Sequence, residues 1–560
     1  SIGFMRNRPV TWVATTLDGL KLWNTSTGQL LMDISLLPNQ RYVAVAGDGR
    51  YDTNLGPESQ SFRWLMSDEP FKSLAPQTLM RDYYEPNLVT KLMDCAAANS
   101  CARVLKPVPP VATLNRQLPV VRITDIRPAD TPGQVVVRVE ARETRDAQNG
   151  RRSGLFNVKL LLNNRQIDQQ PPHFQQQPSP TLAQWRELNQ MEGVNAAGVW
   201  SSEFQVSVPT HHDGKPMEFA AYAFNSDRVK SDTARRSWTP PATSAPKRPR
   251  RAWVLTIGVD DYVEPRLKLN FAVADARVIA ERLAAIPGYE MRHINLTSSL
   301  AGDGRPARQV TRADVMGVLS FLAGFPPEMN QMIRLEEVHK VRNLAETSPD
   351  DIVIISFSGH GFATASGQFA LLPSNARWPA TAAAPETRSV ITAEDLTIQL
   401  GFMKAAEIAF IIDACHSGAA VNTPDFKPGP MGDASLGQLA FEKGLRILAA
   451  TQADDVALEN AALKQGFLTA ALGEGLSDTG GPADLNSDGR IVLDEWLRYA
   501  VARLPSLNDE VRRGGGAMAA RGVRLVMRTP SAAPPKSQEP SLFDFNSAPS
   551  PVVLRGRATQ

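Results

Sequence analysis

Ile352-Val353-Ile354-Ile355-Ser356-Phe357-Ser358-Gly359-His360-Gly361 and Ile408-Ala409-Phe410-Ile411-Ile412-Asp413-Ala414-Cys415-His416-Ser417-Gly418 decide the fold. Each begins with an apolar run of the kind that fills a strand buried on both faces, and each finishes in small and polar residues. In an open parallel sheet, chemistry gathers where strands end at the carboxyl edge, so two neighbouring strands bring a histidine and a cysteine within reach of each other. Cys415 and His360 are the resulting Cys/His candidate. A cysteine is only a few per cent thiolate near neutral pH, and an imidazole that takes its proton raises the nucleophilic fraction. The glycines beside His360 allow a sharp turn and close approach of a substrate, and backbone amides there can hold a developing oxyanion. A lone free cysteine is more often a core thiol, but paired strand ends with glycine flanks outweigh that reading.

Outward from these two strands, residues 252–527 alternate strand and helix patterns. Strands are expected over residues 253–259, 352–357, 408–413, 445–450 and 523–527. Helices are expected over 273–285, from Thr311 through Phe321, and over 466–476, and a capping box at Thr392 and Asp395 starts another. This alternation predicts an α/β unit with a mostly parallel sheet covered by helices on both faces.

The clusters Ser358-Gly359-His360-Gly361 and Asp413-Ala414-Cys415-His416-Ser417-Gly418 resemble those of the caspase-like cysteine peptidases of the C14 type, and more closely their prokaryotic metacaspase relatives than animal caspases. The resemblance spans about residues 250–527. Leu255-Thr256-Ile257-Gly258-Val259-Asp260-Asp261-Tyr262 resembles the family's first strand, and Ala274-Asp275-Ala276 the start of its following helix. It implies Cys415 as nucleophile, His360 as general acid/base, and Gly361 with the Cys415 amide as the oxyanion site. It also implies Asp413 and Asp275 as the acidic lining of a pocket that selects arginine or lysine before the cut bond. The electrostatics agree, because a carboxylate at the base of a pocket attracts a guanidinium and repels an acidic side chain. A helix-start carboxylate favouring the dipole is the plainer account of Asp275. Calcium-activated metacaspases carry acidic clusters soon after the histidine. Here that stretch, Phe362-Ala363-Thr364-Ala365-Ser366-Gly367-Gln368-Phe369, has no carboxylate.

A separate calcium signal lies downstream. Asp484, Asn486, Asp488, Arg490 through its carbonyl, and Glu495 fit positions 1, 3, 5, 7 and 12 of an EF-hand loop, with Gly489 at position 6. Against it, Gly480-Gly481-Pro482 discourages an entering helix, and Val492 offers no oxygen at position 9. The alternative is a tight Asp/Asn/Gly turn into a helix near Leu493. No cofactor is required by the dyad chemistry, and calcium is the one ion with a motif.

The 560 residues hold 60 basic and 58 acidic side chains, a net charge of +2, so no electrostatic case exists for nucleic acid or an anionic membrane as partner. No apolar run approaches the roughly 18–20 residues of a membrane span. The chain opens with Ser1 rather than methionine, which suggests a truncated or processed start, and the compartment, cytoplasmic or periplasmic, is not legible. Cys95 and Cys101, six apart, fit either a disulfide or two core thiols.

Residues 1–68 alternate strand-like runs with turns, including an Asp18-Gly19 hairpin signal, and resemble a WD40 propeller fragment or a pair of hairpins. Residues 69–118 are mixed and end in a stiff Pro-rich linker. Residues 119–239 read as an immunoglobulin-like sandwich of turn-separated strands, with Asn163-Asn164 as a hairpin turn and a Gln/Pro-rich loop at 169–195. Residues 240–251 form a basic Pro-rich tether ending Lys247-Arg248-Pro249-Arg250-Arg251, either simply solvated or a segment that the enzyme cuts or is inhibited by. Residues 528–560 are expected to be disordered, with Leu542-Phe543-Asp544-Phe545 as a docking segment. His211-His212 is expected in a loop, without further ligands at zinc spacing.

The expected function is a cysteine endopeptidase acting on protein or peptide substrates after Arg or Lys, with protein partners on the WD40-like and sandwich regions. The competing readings are a signalling scaffold whose peptidase fold is vestigial, and a calcium-dependent regulator.

Overall fold

The computed structural model describes the chain except residues 6–7, 15–18, 39–40, 56–58, 60, 67–68, 103, 148, 173–180, 242–246, 301–305, 326–344, 364–367, 380, 383, 417–433, 452–463, 478–480, 519–538, 545–549 and 556–560. Of Cys415 and His416 it describes the backbone. The expected strand at 523–527, Asp18 of the first hairpin signal, Ser417 and Gly418, and Phe545 therefore lie outside the described residues.

The mixed sheet has a main path of strands β1 (Arg251–Gly258), β2 (Glu290–Thr297), β3 (Ile352–Ala363), β4 (Glu407–His416), β5 (Arg446–Thr451) and β6 (Glu539–Asp544), in the order β2-β1-β3-β4-β5-β6, with the short strands Phe369–Leu372 and Ile391–Thr392 branching from β3. The first five are mutually parallel and β6 is antiparallel to β5. Alternate residues of each strand feed two separate cores, as a period of two requires. Trp253, Leu255, Val353, Ile355, Phe410 and Ile447 face helices α2 (Arg312–Ala323), α3 (Ala393–Phe402) and α4 (Ala434–Lys443). Val254, Ile354, Ala409, Ile411 and Leu448 face α1 (Ala272–Arg282), α5 (Phe467–Gly475) and α6 (Leu493–Met518). Burial on both faces explains why β3 and β4 read as continuous apolar runs. The expected helix starts hold, with Thr311 and Thr392 each closing a capping box on an Asp three residues later.

The expected docking of Leu542-Phe543-Asp544 takes the form of a strand, and a second tail segment is a strand where disorder was expected. Glu539–Asp544 pairs with β5 at the edge of this sheet, and Val552–Arg555 pairs with Arg490–Val492. Its composition hides the alternation of Leu542, which packs on one core, and Phe543, which packs on the other. Asp544 then pairs with Arg446 at 3.3 Å and Arg498 at 3.0 Å.

Ahead of this α/β unit, residues 2–53 form one six-stranded antiparallel sheet in sequential order, a meander, packed on the helix Leu88–Ala98. The described residues form no ring of blades, so the WD40 likeness rests on the turn pattern alone. Cys95 and Cys101 form a disulfide at the end of that helix. Between residues 120 and 238, sheets of three and four antiparallel strands face each other over a core of Val137, Val139, Leu160, Phe204 and Phe219. Asn163 and Asn164 both adopt positive φ, the geometry of a two-residue hairpin turn. The expected loop at 169–195 contains a helix, Leu182–Asn189, whose Thr181/Gln184 capping box was present in the sequence.

Candidate active site

β3 and β4 run side by side in register, Ser358 opposite Asp413 and His360 opposite Cys415. Register partners on adjacent parallel strands share a sheet face, so the backbone places residues 360 and 415 next to each other at the carboxyl edge. His416 stands opposite Gly361.

His360 is buried and held on two sides. Its backbone N–H donates to the Tyr262 hydroxyl at 2.9 Å, and the two rings lie 5.2 Å apart. Its Nε2 lies 2.7 Å from the Leu267 carbonyl oxygen. A carbonyl can only accept, so Nε2 carries the hydrogen, and in the neutral ring Nδ1 is the basic nitrogen. Gly361 has no room for a side chain, since a Cβ there would sit 2.9 Å from Phe369 Cε2.

Below the histidine, Asp275 of α1 and Asp413 of β4 are both buried and close together. Asp275 accepts from Ser358 Oγ at 2.8 Å and from the Gly466 amide at 2.8 Å. Asp413 accepts from the Thr469 amide at 3.2 Å and the Thr469 hydroxyl at 3.0 Å. Burial and the neighbouring Asp413 push the Asp275 carboxyl up to about 8. Burial also raises Asp413, against its hydrogen bonds from Thr469. The helix-start account of Asp275 holds only in part. It sits in the first turn of α1, yet the α1 amides of Ala272 and Val273 are taken by Asp260.

Tyr262, the Leu267 carbonyl, Gly466 and Thr469 are site groups that the sequence did not assign. The weak signal for the last two was a glycine followed three residues later by a hydroxyl at a helix start.

The other candidates sit elsewhere. In the 484–495 loop, Asp484 accepts from the amides of Asp488 and Gly489, Asn486 from Asp488, Asp488 from Arg490, and Glu495 from Val492. Among the described residues no three His, Cys, Asp or Glu side chains converge as metal ligands. These bonds make a turn that leads into α6. His211 Nε2 contacts the Arg248 carbonyl at 2.7 Å, in a loop as expected.

The basic tether is anchored at the opposite edge of the sheet. Arg248 pairs with Asp350 at 3.0 Å and Arg251 with Asp351 at 2.6 Å, at the starts of β1 and β3. His360 lies eight residues further along β3 than the register partner of Ala252, roughly 26 Å away at the rise of a strand. No helix among the described residues is long and apolar enough to cross a membrane.

The family model described as the caspase domain matches residues 251–488. Among solved structures the chain is similar to that of pro-sf-caspase-1, at 11% identity over 55% of this chain and 94% of that one, with a TM-score of 0.28. It is also similar to caspase-1 from Spodoptera frugiperda, at 10% identity over 58% and 99%, with the same TM-score. No curated protein matches the chain. Residues 251–488 thus resemble the caspase domain, and that resemblance covers less than half of the chain.

Proposed function

We propose that the caspase domain is an endopeptidase acting through Cys415 and His360, with arginine or lysine preferred before the cut bond. The single observation that supports this most is the register of β3 on β4, which pairs the two residues directly. Cys415 as thiolate attacks the scissile carbonyl. His360, its Nε2–H held by Leu267, gives the proton on Nδ1 to the leaving amine and then takes one from water to release the acyl-enzyme. The amides of Gly361 and Cys415 are the proposed oxyanion donors.

The preference for a basic side chain rests on Asp275 and Asp413. Two buried carboxyls at close range cannot both ionise cheaply, and an entering guanidinium lets both do so. The sandwich and the N-terminal sheet are proposed to present protein partners or substrates. No cofactor is assigned to the chemistry. The 484–495 loop is where a structural calcium is proposed, and calcium titration of the wild type against Asp484→Ala, read as melting temperature, tests it.

The deciding experiment is a panel of fluorogenic peptides with Arg, Lys, Asp or Leu before the reporter, run on the wild type and Cys415→Ala. Cleavage after Arg or Lys that vanishes in Cys415→Ala supports the proposal. Equal rates in both proteins overturn it in favour of a scaffold with a vestigial peptidase fold.

A further inference from the structure

Beneath the proposed specificity pocket, the first turn of α5 touches both carboxyls, and no substrate-facing role accounts for it. Thr469 is buried at 2% exposure and spends its amide and its hydroxyl on one atom, Asp413 Oδ2. Gly466, one turn back, donates its amide to Asp275 Oδ1. A Cβ at Gly466 would lie 2.6 Å from Asp413 Oδ2 and 3.1 Å from Asp275 Oδ2. The turn therefore fits over the acidic pair only with glycine at its start, and it donates to each acid separately.

We infer that Thr469 and Gly466 are positioning residues that decide which carboxyl of the pair is the anion, and so set the pH above which a basic side chain is accepted. This rests on the pocket reading of Asp275 and Asp413. Hydrogen bonds from an amide and a hydroxyl favour the charged form of Asp413. The remaining proton then belongs to Asp275, which the charge on Asp413 disfavours as an anion. The other groups facing the pair are Asp260, which adds like charge to Asp275, and Ser358, which donates to it. His360 lies two residues beyond Ser358 on β3, Lys464 precedes the turn, and Arg277, Arg282 and Glu474 lie further along α1 and α5.

The sign follows directly. Below the pair's titration the pocket is neutral and holds no cation. As pH rises through it, affinity for a guanidinium rises, and binding expels the shared proton. Losing the Thr469 hydroxyl weakens the Asp413 anion and moves this transition to higher pH.

The test uses the full chain carrying Cys415→Ala, so that the nucleophile does not titrate, and N-acetyl-arginine amide as the probe. Calorimetry across pH 6–9, in two buffers of different ionisation heat, reads affinity and proton release together. The expected result is release of up to about one proton per ligand and, in Thr469→Val, a shift of the affinity profile upward by about one pH unit. Thr469→Ser should restore the original profile, which a merely structural role would not do. Gly466→Ala should lower affinity about tenfold or more at every pH, because the added methyl displaces the Asp413 carboxylate.

Profiles of Thr469→Val and Gly466→Ala that superimpose on the parent overturn the inference. If Asp413→Asn abolishes binding in the same experiment, the pocket reading survives that outcome. If Asp413→Asn binds the probe as tightly as the parent, the pocket reading fails and this inference with it.

Discussion

The two edges of the parallel sheet handle buried charge in opposite ways. At the amino edge a chain of buried charges is paired with opposite ones. Arg251 pairs with Asp351, and Arg165 from the sandwich pairs with Glu407, which also holds Arg446, which in turn holds Asp544. At the carboxyl edge two acids are set against each other, with hydroxyls and amides in place of cations. The amino edge is built to hold the sandwich, the sheet and the tail together. The carboxyl edge instead keeps a proton on one of two facing acids, an arrangement common at functional sites. Substitutions should therefore split cleanly: those at the carboxyl edge lose activity and keep stability, and those at the amino edge do the reverse.

The largest effect belongs to the dyad. Cys415→Ala or His360→Ala should lower kcat/KM on Arg peptides by about 10³-fold or more while leaving the melting temperature within a few degrees. A variant that keeps a tenth of the activity breaks the assignment of that residue. Next, Asp413→Asn should cost about 10²-fold or more on Arg peptides, and the protein should melt no lower, because a strained charge has been removed. Collapse of the fold would make Asp413 structural.

Third comes the amino edge. Glu407→Gln leaves Arg446, only 2% exposed, and Arg165 short of a counter-charge. Unfolding by denaturant should show a loss of roughly 3–5 kcal/mol, with kcat/KM on Arg peptides unchanged for the folded fraction. Lost activity at full stability would erase the contrast between the edges. The smallest effect is a pH dependence. Asp275 holds its proton up to about 8 in the fold and releases it in the acid range when unfolded. Its contribution is thus full below the unfolded carboxyl range and lost as pH rises toward 8. Asp275→Asn should flatten that fall, gaining roughly 1–3 kcal/mol at pH 8 relative to pH 5. Parallel stability curves for both proteins would remove the buried proton from the account.

How much of this was legible in the sequence depended on range. β3 and β4 announced themselves because a strand covered on both faces is apolar throughout, and their ends carry His360 and Cys415 in plain view. Thr311, Thr392 and the Asn163-Asn164 turn are local devices whose partners lie within a few residues. The grip of Leu267 on His360 and of Thr469 on Asp413 joins residues 93 and 56 positions apart, with no local signature. In the tail, docking of Leu542-Phe543-Asp544 was legible but its strand pairing was not, for a different reason. Its Pro/Ser/Ala surroundings outvote a six-residue alternation, and its value appears only once β5 offers an edge.

β6 is also the last described strand of this sheet to be synthesised. A nascent chain displays His360 and Cys415 well before Glu539–Asp544 exists to cover the free edge of β5. Arg446, already bound to Glu407, waits for Asp544 during that interval. Translation order therefore delays sealing of the sheet until the tail arrives, and a truncated chain lacking it would carry the dyad on an open, sticky border.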